Sequence, residues 1–538
     1  MKTPLKPQSI GMAFFDLHCH PGLKTLFLPQ DGRQFSAWSN LNPKDHLIGD
    51  ILESQCSLKM LMQQGDINLI CLTLHPPEIG MIDQFLLKIG AATVYKKFLS
   101  RDRLNEMITL TSSYQQTFAQ EFANISAAPR PEDQIEAGKK IKFLKNWNEY
   151  QATDFNTLHI VFNIEGAHTF YDLNNRVKDI EQVVGNFNSF ISKGFRVLYF
   201  TLAHLTPNEF ITHAYGNKLL TKGPLLPKGI GITAFGKRMI ENAYAKKVFI
   251  DVKHMSLVSR RIFYLFRKKH FPDMPIIASH IGLTGESWTV FRKDRNMVIN
   301  PVRKSYGYKL TWLKNRGKLE GTDFYPLSIN LYNEDITEIL GSKGLIGISL
   351  DLRILGGKDK TGALQSDFYS HEEYELLTAP DADQQIQALS EQFDIGQINN
   401  GNTTLNLVNP EPQDIEDLKE ADAELQQIFA SKKKTDLSAD YRYHVRLVLN
   451  HIIRIWEITD WYGMPAPWDH LCIGSDFDGM IAAVACFRNS TEAATFALAL
   501  KTELELELPH YPDINLTAGE IVDRLMFQNA KAFLEKYF

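Results

Sequence analysis

The chain has 538 residues, of which 44% are hydrophobic and 22% charged, the composition of an ordinary globular protein. Its 58 basic and 63 acidic residues give a net charge of −5, so the charge balance gives no indication of a nucleic-acid partner. The sequence contains no apolar run of roughly 18 residues that could span a membrane, and its first residues lack the apolar core of a signal peptide.

Five cysteines are scattered along the sequence without CxxC spacing. This pattern is typical of reduced, buried thiols, and it predicts a cytoplasmic protein. The chain could also pair with a second copy as a homodimer.

Short apolar stretches alternate with helical patterns from one end of the chain to the other. Helical patterns cover residues 51–62, 82–150, 177–192, 233–246 and 259–269. Eight apolar stretches predict strands buried on both faces: 12–18, 67–74, 158–165, 195–201, 248–252, 275–279, 345–350 and 471–475. This alternation predicts an α/β fold, a (β/α)8 TIM-type barrel in one domain over residues 1–538. A doubly wound open sheet is the alternative, although no glycine-rich phosphate loop follows the first strand.

Two segments interrupt the alternation, at about 292–328 and 356–440. The first is basic, and the second has helical patterns at 381–393 and 412–431. Insertions of this kind sit on the loops above a barrel, so we expect a lid or subdomain, with a solvated surface ornament as the alternative for the second.

Polar residues cluster where the apolar stretches end. His18 and His20 close the first strand, and residues i and i+2 of a strand point to the same side. Similar residues end later strands: Glu165, His204, His254, His280 and Asp476. In a barrel the carboxyl ends of all strands meet on one face, where active sites lie.

These residue types suit a centre of two divalent metal ions, most simply zinc. His18 and His20 would hold one ion, His254 and His280 the other, and Glu165 would bridge them. Asp476 would then act as the catalytic acid and base, and His204 would donate to the developing oxyanion. The expected reaction is hydrolysis of a peptide-like amide by a metal-activated water.

The order of the blocks IEGAH, FRVLYFTLAH, DVKHMS, PIIASH and GSDFDG resembles the membrane (renal) dipeptidase family of the amidohydrolase superfamily. The resemblance implies a (β/α)8 barrel, a binuclear zinc site and a dipeptide substrate. It also implies that Glu165 bridges the metals, that His254 and His280 bind the second metal, and that His204 contacts the substrate. Asp476 is implied as the catalytic acid and base, and Asp478 of the same block is a further candidate for substrate contact.

The sequence departs from the family pattern at three places. His18-Cys19-His20 stands where the family has His-x-Asp, a change that keeps two metal ligands. The family's carboxylate-binding Arg-Asn pair is matched by Arg295-Asn296, but Ile329-Asn330 aligns at least as well and has no arginine. The two insertions enlarge the chain, so the substrate could differ from a dipeptide. Two alternatives to a peptide hydrolase remain. One is an amidohydrolase that acts on a non-peptide amide, a lactone or an ester, and the other is a barrel that binds a partner without catalysis.

Overall fold

A computed structural model describes residues 13–28, 36–43, 52–63, 67–82, 98–109, 111–177, 179–216, 225–293, 298–312, 315–356, 365–392 and 437–538. The strands are β1 Leu69–Leu74, β2 Lys140–Phe143, β3 Thr157–Glu165, β4 Val197–Thr201, β5 Phe249–Asp251, β6 Ile276–Ile281, β7 Val298–Lys304, β8 Gly307–Trp312, β9 Asn315–Arg316, β10 Asp323–Phe324, β11 Leu345–Ile348, β12 Gln365–Tyr369 and β13 Leu471–Ile473.

Helices surround these strands and connect them. They are α1 Leu58–Gln63, α2 Ile79–Ile82, α3 Arg101–Ile108, α4 Tyr114–Ser126, α5 Ile180–Ser192, α6 Ala234–Ala245, α7 Leu257–His270, α8 Val290–Lys293, α9 Asn333–Gly341, α10 Leu352–Leu355, α11 His371–Thr378, α12 Ala382–Glu391, α13 Leu437–Trp461, α14 Ala493–Glu507, α15 Ala518–Asp523 and α16 Asn529–Tyr537.

The main sheet is parallel and curls round on itself in the order β1-β3-β4-β5-β6-β11-β13. Residues 14–20 lie between its two ends, because Leu17 N donates to Ile473 O at 2.9 Å and Cys71 N donates to Asp16 O at 2.9 Å. With this irregular segment the eight predicted strand positions form a ring. The prediction of a barrel is confirmed, and the chain does not form the open-sheet alternative.

The barrel strands are buried on both sides, as their continuous apolar sequences predict. Every residue of β1 and of β3 is buried. Outside the strands, α5 places Val183 and Phe187 in the core and begins at Asp179, whose side chain accepts a hydrogen bond from Glu181 N. Helices such as α5 thus cover the outer face of the sheet, whereas the loops at the carboxyl ends of the strands are available to form a site.

The predicted helical stretch 82–150 is wrong in part. Residues 140–143 form β2, which pairs with the first half of β3. The alternation Lys140-Ile141-Lys142-Phe143 has the period of two that suits a strand with one face against the protein. Helices α3 and α4 agree with the prediction, whereas residues 83–97 lie outside the described residues.

The two insertions pair with each other. Strand β12, from the second insertion, runs antiparallel to β8 of the first, and β8 pairs with β7. The predicted helix at 381–393 is α12, and the predicted helix at 412–431 lies outside the described residues. All five cysteines are buried and free. Within the described parts of the chain, no helix combines the length and apolar character needed to cross a membrane.

Candidate metal centre and active-site pocket

The strand register brings the predicted polar residues to one face of the barrel. Glu165 at the end of β3 lies opposite Thr201 at the end of β4, and Thr201 lies opposite Asp251 at the end of β5. Asp251 in turn pairs with Ile277 of β6, three residues before His280. Side chains that are far apart in sequence therefore surround a common space above the strands.

Unusual backbone conformations aim three of these strand ends. His254 and Asp476 have φ angles of +66° and +61°, in the left-handed region that costs free energy for residues other than glycine. Gly166, directly after Glu165, has φ of +96°, and a Cβ there would lie 2.3 Å from the His168 ring. Such strain is common where a loop must hold a functional side chain.

Glu165 lies at the centre of four imidazole rings. Its Oε1 is 3.1 Å from His254 Nε2, 3.6 Å from His18 Nε2 and 3.8 Å from His280 Nε2, and its Oε2 is 3.5 Å from His20 Nε2. The His18 and His20 Nε2 atoms are 3.0 Å apart. All five side chains are buried. The five metal ligands predicted from the sequence therefore lie together.

The hydrogen bonds behind His18 determine which of its nitrogens faces the centre with a lone pair. The Tyr199 hydroxyl donates its single hydrogen to Leu17 O at 2.8 Å. It must then accept from His18 Nδ1–H, 2.9 Å away. Neutral His18 consequently presents the lone pair of Nε2 to His20 and Glu165, as metal-binding histidines do when their other ring nitrogen donates a hydrogen bond.

His280 is oriented in the same way by a different pair of groups. Ser279 Oγ donates to Asp251 Oδ2 at 2.5 Å, so it accepts from His280 Nδ1–H at 2.8 Å. The lone pair of His280 Nε2 is thereby directed toward Glu165. The segment that carries His18 and strand β6 thus orient their histidines through separate hydrogen bonds with the same result.

The charges of the centre favour a bound cation. Burial raises the pKa of Glu165, but His204 and His18 lower it more, so it lies well below its usual range. Burial lowers the pKa of His254 and of His280 well below the usual range and keeps both rings neutral. Burial also lowers the pKa of His18, but Glu165 raises it more, so this position attracts a proton or a metal ion.

Among the described residues, four overlapping groups of ligand-type side chains have donor atoms within 4.8 Å of one another. Three of them form the centre: His18, Glu165 and His280; His18, His20 and Asp476; Glu165, His204 and His254. Neutral imidazoles and an ionised carboxylate are the donors that zinc and similar ions prefer. The residues present therefore fit divalent metal ions.

Asp476 and His204 flank the centre. Asp476 Oδ1 is 3.3 Å from His20 Nε2, and the Asp476 side chain keeps 17% of its surface exposed. His204 Nδ1 lies 2.7 Å from Glu78 Oε2. Burial lowers the pKa of His204, but Glu78 and Glu165 outweigh it and raise the pKa to about 9. His204 is therefore a proton donor at neutral pH.

A pocket opens above the centre and contains two further basic side chains. Lys253 and Arg353 line it together with Asp351, Asp476 and Ile329. Arg353 contacts Asp351 through two guanidinium nitrogens, at 2.6 to 3.0 Å. Lys253 is buried, and among the described residues its Nζ has no hydrogen-bond partner. Burial lowers its pKa to about 8.

Of the predicted substrate-binding residues, Asp478 lies away from the pocket and Arg295 falls outside the described part of the chain. Asp478 does not line the pocket; its Oδ1 is 2.5 Å from Lys24 Nζ and 2.9 Å from Gln55 N, and its Oδ2 accepts from Cys56 N at 3.1 Å. These bonds fix the loop that carries Asp476. Arg295 lies outside the described residues, so its role stays a prediction.

Sequence reasoning missed three residues at this face. His75 and Glu78 follow β1 and lie in the pocket wall or beside it, and Lys253 precedes His254. The position of His75 directly after an apolar strand is the same signal that singled out His204. Lys253 carried no such signal, because a lysine after a strand is ordinarily solvated.

Sequence comparisons with family models and with curated proteins give no match. Comparison with solved structures gives matches of low identity over nearly the whole chain. A probable dipeptidase from Pseudomonas aeruginosa has 15% identity and a TM-score of 0.48, with 98% of this chain and 95% of that chain covered.

Two other matches are of the same kind. A metallopeptidase from Rhodobacter sphaeroides, bound to a phosphinate mimic of the dipeptide L-Ala-D-Ala, has 12% identity and a TM-score of 0.47, with coverage of 98% and 100%. A protein described as a dipeptidase and metallopeptidase has 11% identity and a TM-score of 0.46, with coverage of 98% and 99%. At these values no residue role passes from those proteins to this chain.

Proposed function

We propose that this protein is a metal-dependent hydrolase that cleaves the amide bond of a dipeptide or a similar small peptide-like substrate. The observation that carries the proposal is the convergence of four buried imidazoles on Glu165. For His18 and His280, the surrounding hydrogen bonds direct the Nε2 lone pair inward. Such an arrangement leaves several acceptors facing one another, which a bound cation stabilises.

Two ions, zinc by the nature of the donors, would be held by His18, His20, His254 and His280, with Glu165 between them. When bound, the ions supply Lewis-acid activation of a water molecule and of the substrate carbonyl. The chain's contribution to metal binding is the neutral state of His254 and His280 and the fixed orientation of His18 and His280. This agrees with the low pKa values that burial imposes on His254 and His280.

Asp476 and His204 supply the proton transfers. Asp476 is the carboxylate beside His20 that retains contact with the pocket, so it takes the proton of the attacking water and returns it to the leaving nitrogen. His204 is charged at neutral pH and lines the same pocket, so it donates to the oxygen of the substrate carbonyl as negative charge develops there.

Lys253 is the group in the pocket that suits the free carboxylate of a dipeptide. Its buried Nζ has no partner among the described residues, whereas Arg353 is already engaged by Asp351. Ile329 lines the pocket at the position that aligns with the arginine of the dipeptidase family. The amide of the neighbouring Asn330 donates to Tyr325 O and Ile354 O. A buried ammonium gains most from an anionic partner.

The proposal is tested by metal content and substrate range together. Purified protein reconstituted with excess zinc should contain at least two metal ions per chain by elemental analysis. It should hydrolyse members of a dipeptide panel that includes D-residues, N-blocked dipeptides, C-terminal amides, lactones and esters. His254→Ala should lose metal and turnover, because it removes the proposed ligand that lies 3.1 Å from Glu165 Oε1.

His510 provides the matched control, since it is an exposed histidine outside the centre. His510→Ala should retain both the metal and the activity of the wild type. Reconstituted protein with fewer than two metal ions would overturn the two-metal proposal. Turnover of lactones or esters without any dipeptide hydrolysis would replace the peptide substrate by a non-peptide one.

A further inference from the structure

A second cluster of ligand-type side chains lies beside the proposed metal centre. It consists of His75, Glu78 and His204, whose donor atoms lie within 4.8 Å of one another. The exposed fractions of these residues are 1%, 1% and 8%. Of the three, only His204 contacts the substrate in the two-metal chemistry described above.

The local sequence fixes two members of the cluster on one short loop. His75-Pro76-Pro77-Glu78 follows β1 directly, and two prolines restrict the backbone between the two side chains. His75 N is held by Glu121 Oε2 at 2.7 Å. The loop thus presents an imidazole and a carboxylate toward His204, which follows β4.

The hydrogen bonds of His75 leave its Nε2 as an unpaired acceptor that faces Glu78 and His204. Its Nδ1 lies 2.9 Å from Glu165 O, and because a carbonyl only accepts, Nδ1 carries the hydrogen. With its hydrogen on Nδ1, the neutral ring presents the lone pair of Nε2. Among the described residues, Nε2 has no hydrogen-bond partner.

That lone pair faces a negative charge. Glu78 Oε2 lies 3.5 Å from His75 Nε2 and 2.7 Å from His204 Nδ1. Glu78 Oε1 also accepts from Leu205 N at 3.0 Å and from Thr206 Oγ1 at 3.3 Å, so both oxygens are placed as acceptors, as in a carboxylate. Two buried acceptors at 3.5 Å are unfavourable unless a positive species lies between them.

We infer that His75, Glu78 and His204 form a third cation site, which takes a divalent transition-metal ion such as zinc. Two imidazoles and one carboxylate are a donor set found in zinc enzymes, where a water completes the coordination. The ion replaces the Nδ1 proton of the charged His204 ring, which passes to solvent, so the bound ring is neutral and keeps the hydrogen on Nε2, the nitrogen that can then donate to a substrate. The third ion would therefore fix the tautomer of His204 as well as occupy its own site.

The test is metal stoichiometry on the whole protein, by equilibrium dialysis against zinc followed by elemental analysis. Wild-type protein should reach three zinc ions per chain, and Glu78→Gln should reach two. Glu121→Gln is the matched control: it is an equally buried carboxyl that touches His75 only through the backbone, and it should retain three. Cobalt substitution should show one visible-absorbing site fewer in Glu78→Gln.

His75→Gln provides a second variant that should also lose one equivalent, so the outcome does not depend on the folding of Glu78→Gln alone. Wild-type protein that saturates at two ions and hydrolyses dipeptides would overturn the third site and leave the proposed function standing. Wild-type protein with fewer than two ions would overturn both. Equal stoichiometry in wild type and in both variants would also refute the third site.

Discussion

The mouth of the barrel and the junction where the first insertion rejoins it both bury charged side chains, but the two regions satisfy those charges differently. At the junction, Arg260 and Asp335 are completely buried and lie 3.1 Å apart. The remaining guanidinium hydrogens go to the carbonyl oxygens of Met255, Ser328 and Asn330. At the mouth, by contrast, lone pairs and carboxylates face one another.

This difference separates architecture from chemistry. A buried charge with all its hydrogen-bond partners holds elements in place and has nothing left to offer a ligand. Buried acceptors that face one another, as around Glu165, destabilise the protein until a cation binds. Substitutions at the mouth should therefore lower turnover with little effect on stability. Substitutions at the junction should lower the free energy of unfolding.

Asp476→Asn should give the largest effect on turnover. An amide cannot take the proton of the attacking water, so kcat should fall by about 10²- to 10⁴-fold. Because Asn keeps the shape of the side chain, the metal content and the thermal midpoint should remain close to those of the wild type. Steady-state kinetics, elemental analysis and thermal melting on the same preparation would measure all three. A variant with wild-type kcat would show that Asp476 is not the base.

Arg260→Met should give the largest effect on stability. It leaves Asp335 buried without its cation, a loss of about 3–5 kcal/mol in the free energy of unfolding. Arg238→Met is the control, because the Arg238–Glu181 pair is part-exposed and should contribute less than about 1 kcal/mol. Urea unfolding measures both. Equal losses in the two variants would contradict the distinction between matched burial and surface pairing.

Apolar periodicity and the polar strand ends predict most of the barrel and its centre. Glu165, His254 and His280 lie at or near the ends of mainly apolar strands, and parallel strands bring their carboxyl ends together whatever the sequence distance. The amino-acid sequence alone therefore predicts which side chains lie together at the mouth, and their role as metal ligands stays a prediction. Strand β2, by contrast, was not predicted, because its short alternation of lysines with apolar residues lies within a longer helical pattern.

Contacts between distant segments could not be predicted in this way. The pairing of β12 with β8 joins two insertions, and no local pattern specifies which edge a strand will meet. The relay through Tyr199 likewise depends on a hydroxyl that is 181 residues from His18. The contact of Glu78 with His204 arises from tertiary packing and could not be predicted. His75, by contrast, could have been singled out because it lies directly after an apolar strand.

Glu373 allows a pH test at the edge of the insertions. Its Oε1 accepts from Gly231 N and Ser256 Oγ, and burial raises its pKa to about 8. Because the folded-state pKa is raised, the stability contribution is fully present below about pH 4.5 and is lost as the pH rises through about 8. Glu373→Gln cannot ionise, so its stability should exceed that of the wild type increasingly over this range, by on the order of 1 kcal/mol per pH unit. Thermal melts at about pH 5 and about pH 9 compare them, and a constant difference would contradict the prediction.

Lys253 is the most direct test of whether an unmatched charge marks binding. Lys253→Met keeps the length of the side chain and removes its ammonium, so a dipeptide should lose one charge-assisted hydrogen bond, about 1.5–3 kcal/mol. KM for a dipeptide should then rise by roughly 10- to 100-fold, whereas KM for the corresponding C-terminal amide should change little.

Lys253→Arg separates the charge from the shape of the side chain. It keeps a cation at the same strand end, so it should recover part of the affinity for the dipeptide and again leave the amide unaffected. Metal content should be the same in all three proteins, because Lys253 is not among the groups of ligand-type side chains. If Lys253→Met raised KM for the dipeptide and for its amide equally, the lysine would act on the pocket as a whole. The unmatched ammonium would then reflect the arrangement of the centre, and the substrate carboxylate would bind elsewhere.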